Sequence, residues 1–449
     1  MRRTILIQLV SFLSFLSFSG AINLDASSDD STRSAANAIA KDLMSFYNES
    51  ASNSPPGVFD KKYSWWKSGA AWDTMIDYWY LTDDAQYNSV VQKALKDQAG
   101  AAGDFMNPSL VALESNSDQA TWGLAALSAA ERSFPEPEDS PSPSWVTLAQ
   151  TVLEQQASRW DASTCSGGLH WQISPLNLGY TYKNSLANGL HFELAARLAA
   201  FTGNQTHVEW ANAAYWWAWN IGLINQSTYS VYDGADSLLA CKNIVPVQWS
   251  APAGAFLYGS ATMYSMTKSD LWHNRVIGHL NAINSTFFYP PGHSTNEPVL
   301  FEASCEPENV CTGDQSVYKN TLARSMAWTA SLMEETADMI HTLLGSTATA
   351  VAAGCTGGDT GSICGKSWLL GRWDGTIGFD QELTALSVVQ ARLVEAKRPL
   401  VTANETAEGA GTAGNSEEAE GKIGGSGKMY LSWSAVGVGL VAVIFTVYL

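Results

Sequence analysis

The run Glu114-Ser115-Asn116-Ser117-Asp118-Gln119-Ala120-Thr121-Trp122-Gly123 gathers carboxylates, amides and hydroxyls at the end of a loop. It leads directly into apolar helical spacing at Leu124, Leu127 and Ala130. Its acid therefore sits at a helix N-terminus, where free N–H groups and the helix dipole favour negative charge and reactive groups are often displayed. The Asp-Gln pair returns at Asp314-Gln315 and Asp380-Gln381, each time before another helix rich in small residues, which points to one helical unit repeated. Loop position makes Glu114, Asp233, Asp236, Asp314, Asp374 and Asp380 further candidates for acid-base work. Asp before Gln at a helix start is also a good N-cap, worth about 1 kcal/mol, and on the residues alone that role suits Asp118, Asp314 and Asp380 better than catalysis. Lys183, between Tyr182 and Asn184, reads as a group that pins a hydroxyl or neutralises a carboxylate.

Aromatic residues crowd the loops ahead of the same helices: Tyr63, Trp65 and Trp66; Trp171, Tyr180 and Tyr182; Tyr232 and Trp249; Trp368 and Trp373. Sugar rings present C–H faces that stack on such side chains, while carboxylates and amides bind the hydroxyls. Trp210, Trp216, Trp217 and Trp219 fall within one helical segment and read as core instead.

Two alternating sets of helical segments position these loops. The first is expected near 33–50, 84–97, 144–159, 205–222, 270–286 and 335–352, the second near 69–80, 118–133, 184–201, 250–266, 315–330 and 380–396. Short turns such as Thr202-Gly203-Asn204 lead out of the second set, whereas long segments lead into it. Long loops inside a compact domain are usually functional, and here they would gather on one rim with the second-set N-termini. The expected fold is all-α, an (α/α)6 toroid with the second set inside.

At 449 residues with 46% hydrophobic content the chain can bury a large core. Its formal charge of -18 argues against nucleic acid or an anionic membrane surface as partner and leaves neutral polyhydroxylated ligands open. Residues 1–21 (Arg2, Arg3, an apolar run from Ile5 to Phe18, then small residues) read as a signal peptide. The toroid is placed at 22–400, a low-complexity stalk at 401–426 and an apolar tail at 427–449. Small residues at Gly424-Gly425-Ser426 before that tail resemble a glycosylphosphatidylinositol signal, with Gly424 as attachment residue; a membrane-spanning helix is the alternative, although the apolar run falls short of about 20 residues. Six cysteines in a secreted chain favour disulfides. Spacing suggests Cys305–Cys311 and Cys355–Cys364, which leaves Cys165 with Cys241, though spacing alone keeps other pairings open. Asn48, Asn204, Asn225, Asn284 and Asn404 head glycosylation sequons. No cofactor is implied, no zinc-like spacing occurs, and a monomer is expected.

Tyr63-x-Trp65-Trp66-x-x-Gly69, Asn116-x-Asp118-Gln119-x-x-Trp122-Gly123, Cys165-x-Gly167-Gly168-Leu169-x-Trp171-Gln172, Tyr182-Lys183-Asn184, Asp233-Gly234-Ala235 and Gly357-Gly358 to Cys364-Gly365 together resemble the fungal branch of glycoside hydrolase family 76 over roughly residues 24–396. The resemblance implies an (α/α)6 toroid and a lipid-anchored mannan endo-1,6-α-mannosidase of the cell surface, plasma membrane or wall. It also implies retaining cleavage and transfer of anchor-linked proteins onto wall glucan, with α-1,6-mannan or the anchor glycan as substrate. Retention needs two carboxyls about 5–5.5 Å apart. In the family these are consecutive aspartates in Asn-Asp-Asp-Gln; here the motif is Asn116-Ser117-Asp118-Gln119, so the resemblance assigns Asp118 as general acid/base and leaves Ser117 at the nucleophile position. A serine without a paired base is a far weaker nucleophile than a carboxylate. His170 stands where the family commonly has Arg. Substrate binding is assigned to Trp65, Trp66, Asn116, Trp171, Tyr182, Lys183, Asn184, Asp233 and Trp249. Three readings follow: an enzyme whose nucleophile comes from Glu114, Asp233 or Asp236; a wall-glycan-binding pseudoenzyme; and a structural surface glycoprotein.

Overall fold

A computed structural model describes residues 21–48, 55–60, 62–106, 112–137, 143–289, 297–394 and 402. The expectations for residues 1–20, Asn404, Gly424, the stalk and the apolar tail lie outside them. Among the described residues are twelve α-helices: α1 (Asp29–Ser45), α2 (Trp65–Thr82), α3 (Asn88–Gln98), α4 (Asn116–Glu131), α5 (Trp145–Ser158), α6 (Ser185–Thr202), α7 (Gln205–Ile221), α8 (Ser250–Thr267), α9 (Asp270–Phe287), α10 (Tyr318–Leu332), α11 (Ala337–Gly354) and α12 (Phe379–Gln390). The even-numbered helices close a ring, each packing on the next and α12 returning to α2, while the odd-numbered helices pack outside them. This is the expected (α/α)6 barrel.

Side-chain size explains the two layers. α1 buries one stripe (Ala35, Ala36, Ile39, Ala40, Leu43) and exposes Lys41 and Ser45, as an outer helix should. The inner helix α8 is buried from Ser250 to Met263 and carries Ala or Gly on several faces. Those small residues let helices approach closely: a Cβ on Gly254 would stand 2.9 Å from Leu322 Cα of α10.

Two of the returns from inner to outer helix use the same local chemistry. α6 ends on Gly203 at φ 68° and α8 on Lys268 at φ 52°, left-handed residues that close a helix. The next residue caps the following helix: Asn204 accepts from Thr206 N–H at 2.9 Å and Ser269 from Leu271 N–H at 3.3 Å.

Among the described residues, the strands lie in the loops entering the inner helices. β1 (Tyr182–Asn184) pairs antiparallel with β2 (Gly234–Asp236), in the register Tyr182 with Asp236 and Asn184 with Gly234. β3 (Cys355–Gly357) pairs with β4 (Ile363–Cys364). The disulfides are Cys165–Cys241, Cys305–Cys311 and Cys355–Cys364, the last two as spacing suggested, and the first ties the loop before α6 to the loop before α8. Asn48 and Asn204 are exposed, whereas Asn225 and Asn284 are half-buried.

The barrel axis holds a buried charge cluster. Arg324 of α10 reaches Asp73 at 2.5 Å and Asp77 at 2.6 Å on α2; Arg132 meets Asp77 at 2.6 Å; Arg197 of α6 meets Glu131 at 2.6 Å and Glu193 at 2.8 Å. Four carboxylates therefore share three guanidinium groups. Burial outweighs the pull of Arg197 and pushes the Glu193 carboxyl up to about 7.

Burial likewise pushes Glu302 and Glu382 up to about 8, each against hydrogen bonds that lower it. Folded-state values above the ordinary carboxyl value mean that the folded chain binds more protons than the unfolded chain, so stability falls as pH rises toward 8. Buried His191 and His279, both lowered to about 3 by desolvation, oppose this only below about pH 6.5, where the unfolded chain protonates them. Stability is expected to drop by about 2–4 kcal/mol between pH 6.5 and 8. Thermal melting across that span checks it; a melting temperature that rises toward pH 8 contradicts it.

Candidate active site

Five of the six inner helices present their N-terminal ends to one open cleft of about 660 Å³, lined by Trp65, Trp66, Ser117, Asp118, Asn184, Trp249, Ala251 and Tyr318 with residues of the intervening loops. The sixth, α12, contributes from behind, its buried Phe379 packed 4.8 Å from the ring of Tyr63. The expected convergence of loop-to-helix junctions is thus present.

Asp118 sits in the first turn of α4 as the third residue of a capping box. Ser115 N–H donates to Asp118 Oδ2 at 2.9 Å, and Asp118 N–H donates to Ser115 Oγ at 3.1 Å. The N-cap is therefore Ser115, not Asp118. The other expected caps differ too: Thr312 caps the turn containing Asp314, and Asp380 lies inside α12 after Gly378. In each case a residue two or three positions earlier already terminates the extended segment. Burial pushes the Asp118 carboxyl up to about 7; the Ser115 donors pull it down, and the charge of Asp314 raises it further. Ser117, also on the cleft, shares a 2.8 Å hydrogen bond with Ser115 Oγ.

Backbone pairing joins this helix end to the next loop. Asn116 N–H donates to Trp171 O at 2.9 Å and Trp171 N–H to Tyr182 O at 2.7 Å, which holds the Trp171 backbone against the start of α4, and Trp171 and Asp118 both line the cleft. Trp65 stacks on buried Trp122 at 5.1 Å and donates its indole N–H to Gln98 at 2.7 Å. Gly69 makes room for that layer, since a Cβ there would meet the Trp122 ring at 2.9 Å. Asp233 receives the Tyr182 hydroxyl at 2.6 Å and the Trp249 indole N–H at 3.0 Å, one on each oxygen. Asp314 Oδ1 receives the Trp66 indole N–H at 3.0 Å and the Ser64 hydroxyl at 3.1 Å. The result is a trough with aromatic walls, fixed carboxylates and one carboxyl able to hold a proton near neutral pH, an arrangement suited to gripping sugar faces and hydroxyls while protonating a leaving oxygen.

Of the residues assigned to substrate, Trp65, Trp66, Trp171, Tyr182, Asn184, Asp233 and Trp249 line this cleft together. Two do not. Lys183 is fully buried behind β1, paired with Asp161 at 2.9 Å and donating to the carbonyls of Asp161, Thr164 and Gly167. Side chains alternate along a strand, so the register that turns Tyr182 and Asn184 to the cleft turns Lys183 away. Asn116 is buried as well, bound to His170 O at 2.8 Å and to Arg159 Nε at 2.9 Å. His170 stacks on Tyr180 at 4.4 Å and meets Asp161 at 3.1 Å. Among the suggested replacement nucleophiles, Glu114 and Asp233 line the cleft, whereas Asp236 caps the turn at Leu238. Asp374 is spent on its own loop and Asp380 on Lys67 at 2.7 Å. Trp368 is buried under Lys319, Trp373 packs on Gly357, and Trp216, expected in the core, is exposed with the Arg275 guanidinium 4.4 Å above it.

Tyr318, Thr121 and Ser64 also line the cleft beyond the candidates that the sequence offered, and Asp314, an acid-base candidate whose place before Gln315 suited a cap, lines it too. The spacing Asp314-x-x-x-Tyr318 at a loop-to-helix junction was the available signal. Among the described residues no group of His, Cys, Asp or Glu could hold a metal ion.

Residues 31–404 match the model of glycosyl hydrolase family 76. The chain is 40% identical over 389 residues to the mannan endo-1,6-alpha-mannosidase DCW1 of Saccharomyces cerevisiae, covering 86% of this chain and 85% of that one. Its fold matches the crystal structure of Dfg5 from Chaetomium thermophilum in complex with glucosamine, with a TM-score of 0.80, 36% identity, and 85% of this chain and 94% of that chain covered. It also matches an inactive variant of the alpha-1,6-mannanase GH76A of Salegentibacter sp. HEL1_6, in which two consecutive aspartates are replaced by alanine, in complex with alpha-1,6-mannotetrose. That likeness, with a TM-score of 0.64 at 16% identity over 81% of this chain and 99% of that chain, bears on the fold alone. With a family model matched across most of its length and relatives this similar, the chain belongs to glycosyl hydrolase family 76.

Proposed function

We propose that the chain is an endo-acting α-1,6-mannosidase of cell-surface mannan or of lipid-anchor glycan. Asp118 protonates the departing oxygen while Trp65, Trp66, Trp171 and Trp249 hold the flanking sugars. The observation that carries this reading is a carboxyl raised to about 7 in an open, aromatic-walled trough of about 660 Å³. Relatives named mannan endo-1,6-alpha-mannosidases support the substrate class. Transfer to wall glucan in place of water, and attachment to the plasma membrane by a lipid at Gly424, belong to the same proposal and rest on the resemblance and the C-terminal composition.

Purified protein is expected to release oligosaccharides from linear α-1,6-mannan. Its rate should decline above about pH 7, because Asp118 must carry its proton to act. No product at high protein loading rejects the reading. Ser117 favours a second one, glycan binding without turnover. Calorimetry would then register mannooligosaccharide binding with no hydrolysis, and Ser117→Asp would restore cleavage.

A further inference from the structure

We infer that Glu302 is a positioning residue for the cleft: from the loop between α9 and α10 it fixes the start of α8 and so holds Trp249 in place as one wall of the trough. The inference rests on the α-1,6-mannosidase reading for what the trough grips, and adds to it the group that sets the place of this wall.

The first turn of α8 is not capped by its own segment. Trp249 occupies the N-cap position and makes no side-chain cap, and residues 246–249 ahead of the helix form neither helix nor strand. Helix starts leave N–H groups in need of acceptors, and here a distant side chain supplies one. Glu302, 52 residues further along, accepts Ser250 N–H on Oε1 at 3.0 Å and the Ser250 hydroxyl on Oε2. Two residues on, Ser304 donates its hydroxyl to Gln248 O at 2.7 Å. The residues on both sides of Trp249 are thus pinned by a single loop. The Trp249 indole N–H, donated to Asp233 at 3.0 Å, is the third fixed point. Asp233 in turn accepts the Tyr182 hydroxyl at 2.6 Å, so the wall set by Glu302 is joined to β1 ahead of α6.

The loop that carries Glu302 is itself held from several directions. The Cys305–Cys311 disulfide closes it, and Phe301 N–H donates to Phe287 O at 3.0 Å. Glu306 accepts Glu302 N–H at 2.7 Å and pairs with Lys319 of α10 at 3.1 Å, while Lys366 donates to Cys311 O at 3.2 Å. Glu302 is 1% exposed and does not line the cleft, whereas Trp249 does. A side chain so enclosed has no contact with sugar, and what it does for binding passes through Ser250 and Trp249. Burial pushes its carboxyl up to about 8 against the Ser250 donors, so near neutral pH it holds a proton and an amide is its closest replacement.

Two substitutions in the full chain test this. Glu302→Leu removes both acceptors; its Kd for α-1,6-mannotetraose by calorimetry, and its KM, are expected to rise about tenfold while kcat stays within about threefold of the parent. Glu302→Gln keeps an oxygen for Ser250 N–H and sets an amide against the Ser250 hydroxyl, so it should bind like the parent. In a Trp249→Ala background Glu302→Leu should weaken binding by less than about twofold, because the wall it positions is gone. An equal loss in both backgrounds overturns the inference, as does parent-like affinity in folded Glu302→Leu. The Trp249 indole N–H signal in proton–nitrogen correlation spectra, assigned by its loss in Trp249→Phe, gives a readout that needs no sugar. It should move in Glu302→Leu and stay in Glu302→Gln; a signal unmoved in both overturns the inference. Should Glu302→Leu fail to fold, Ser304→Ala, which frees only Gln248 O, is expected to move the same signal, and an unmoved one overturns the inference. A parent that shows these indole shifts but neither binds nor cleaves mannotetraose defeats the mannosidase reading and leaves the placement of Trp249 by Glu302 standing.

Discussion

Asp118→Asn is expected to lower kcat on α-1,6-mannan by about 10²–10⁴-fold while leaving the fold and mannooligosaccharide affinity near those of the parent. The amide oxygen still accepts from Ser115 N–H, so the cap that starts α4 survives and only the dissociable proton is lost. At 1.36 kcal/mol per decade this corresponds to about 3–5.5 kcal/mol of transition-state stabilisation. The decline in rate above about pH 7 should disappear with the group that causes it. A leaving group that needs no proton separates this role from simple damage. An α-1,6-mannooligosaccharide bearing a dinitrophenyl aglycone should be cleaved by the variant at a rate within about tenfold of the parent. An equal loss on both substrates removes Asp118 from the proton-donor role.

Arg324→Met is expected to destabilise the fold by about 3–5 kcal/mol, because it strands Asp73 and Asp77 in a buried site with Arg132 alone to balance them. The cost is mainly that of the unpaired carboxylates. Replacing the guanidinium by an apolar chain should therefore hurt less as pH falls and those carboxyls gain protons. Urea denaturation at pH 5 and pH 8 measures both parts; a deficit independent of pH, or one below about 1 kcal/mol, shows that the cluster is not held by this arginine. The effect should reach the cleft as well. Thr121, Leu190 and Thr321 border both the cluster and the trough, so they form the floor on which bound sugar would rest. A loosened floor predicts weaker mannotetraose binding in Arg324→Met even under conditions where it remains folded.

Much of the architecture was readable because it is local. Small-residue helices buried on all sides, separated by left-handed closures such as Gly203 and by Asn204 or Ser269 as caps, encode inner and outer layers within a few residues. The short spacing of Cys305 with Cys311 and of Cys355 with Cys364 sets two loops directly. The pairing of Cys165 with Cys241, 76 residues apart, followed only as the remainder. Helix ends were harder. The turn at Gly313–Ser316 stands apart from α10, although periodicity ran through it.

Loop lengths, which are local, made it legible that long segments enter the inner helices while short turns such as those after α6 and α8 leave them. A chain that alternates in this way has little choice but to collect its inner-helix N-termini, its aromatic loops and Asp118 at one mouth. Which acidic side chains open into that mouth was decided only by tertiary structure. Lys183 turns inward through its pairing with β2, Asp380 is drawn off by Lys67, and Asp314 is brought to face Asp118 when α10 takes its place across the ring from α4. Each outcome depends on a partner distant in the chain, and on ring closure, which no local periodicity encodes.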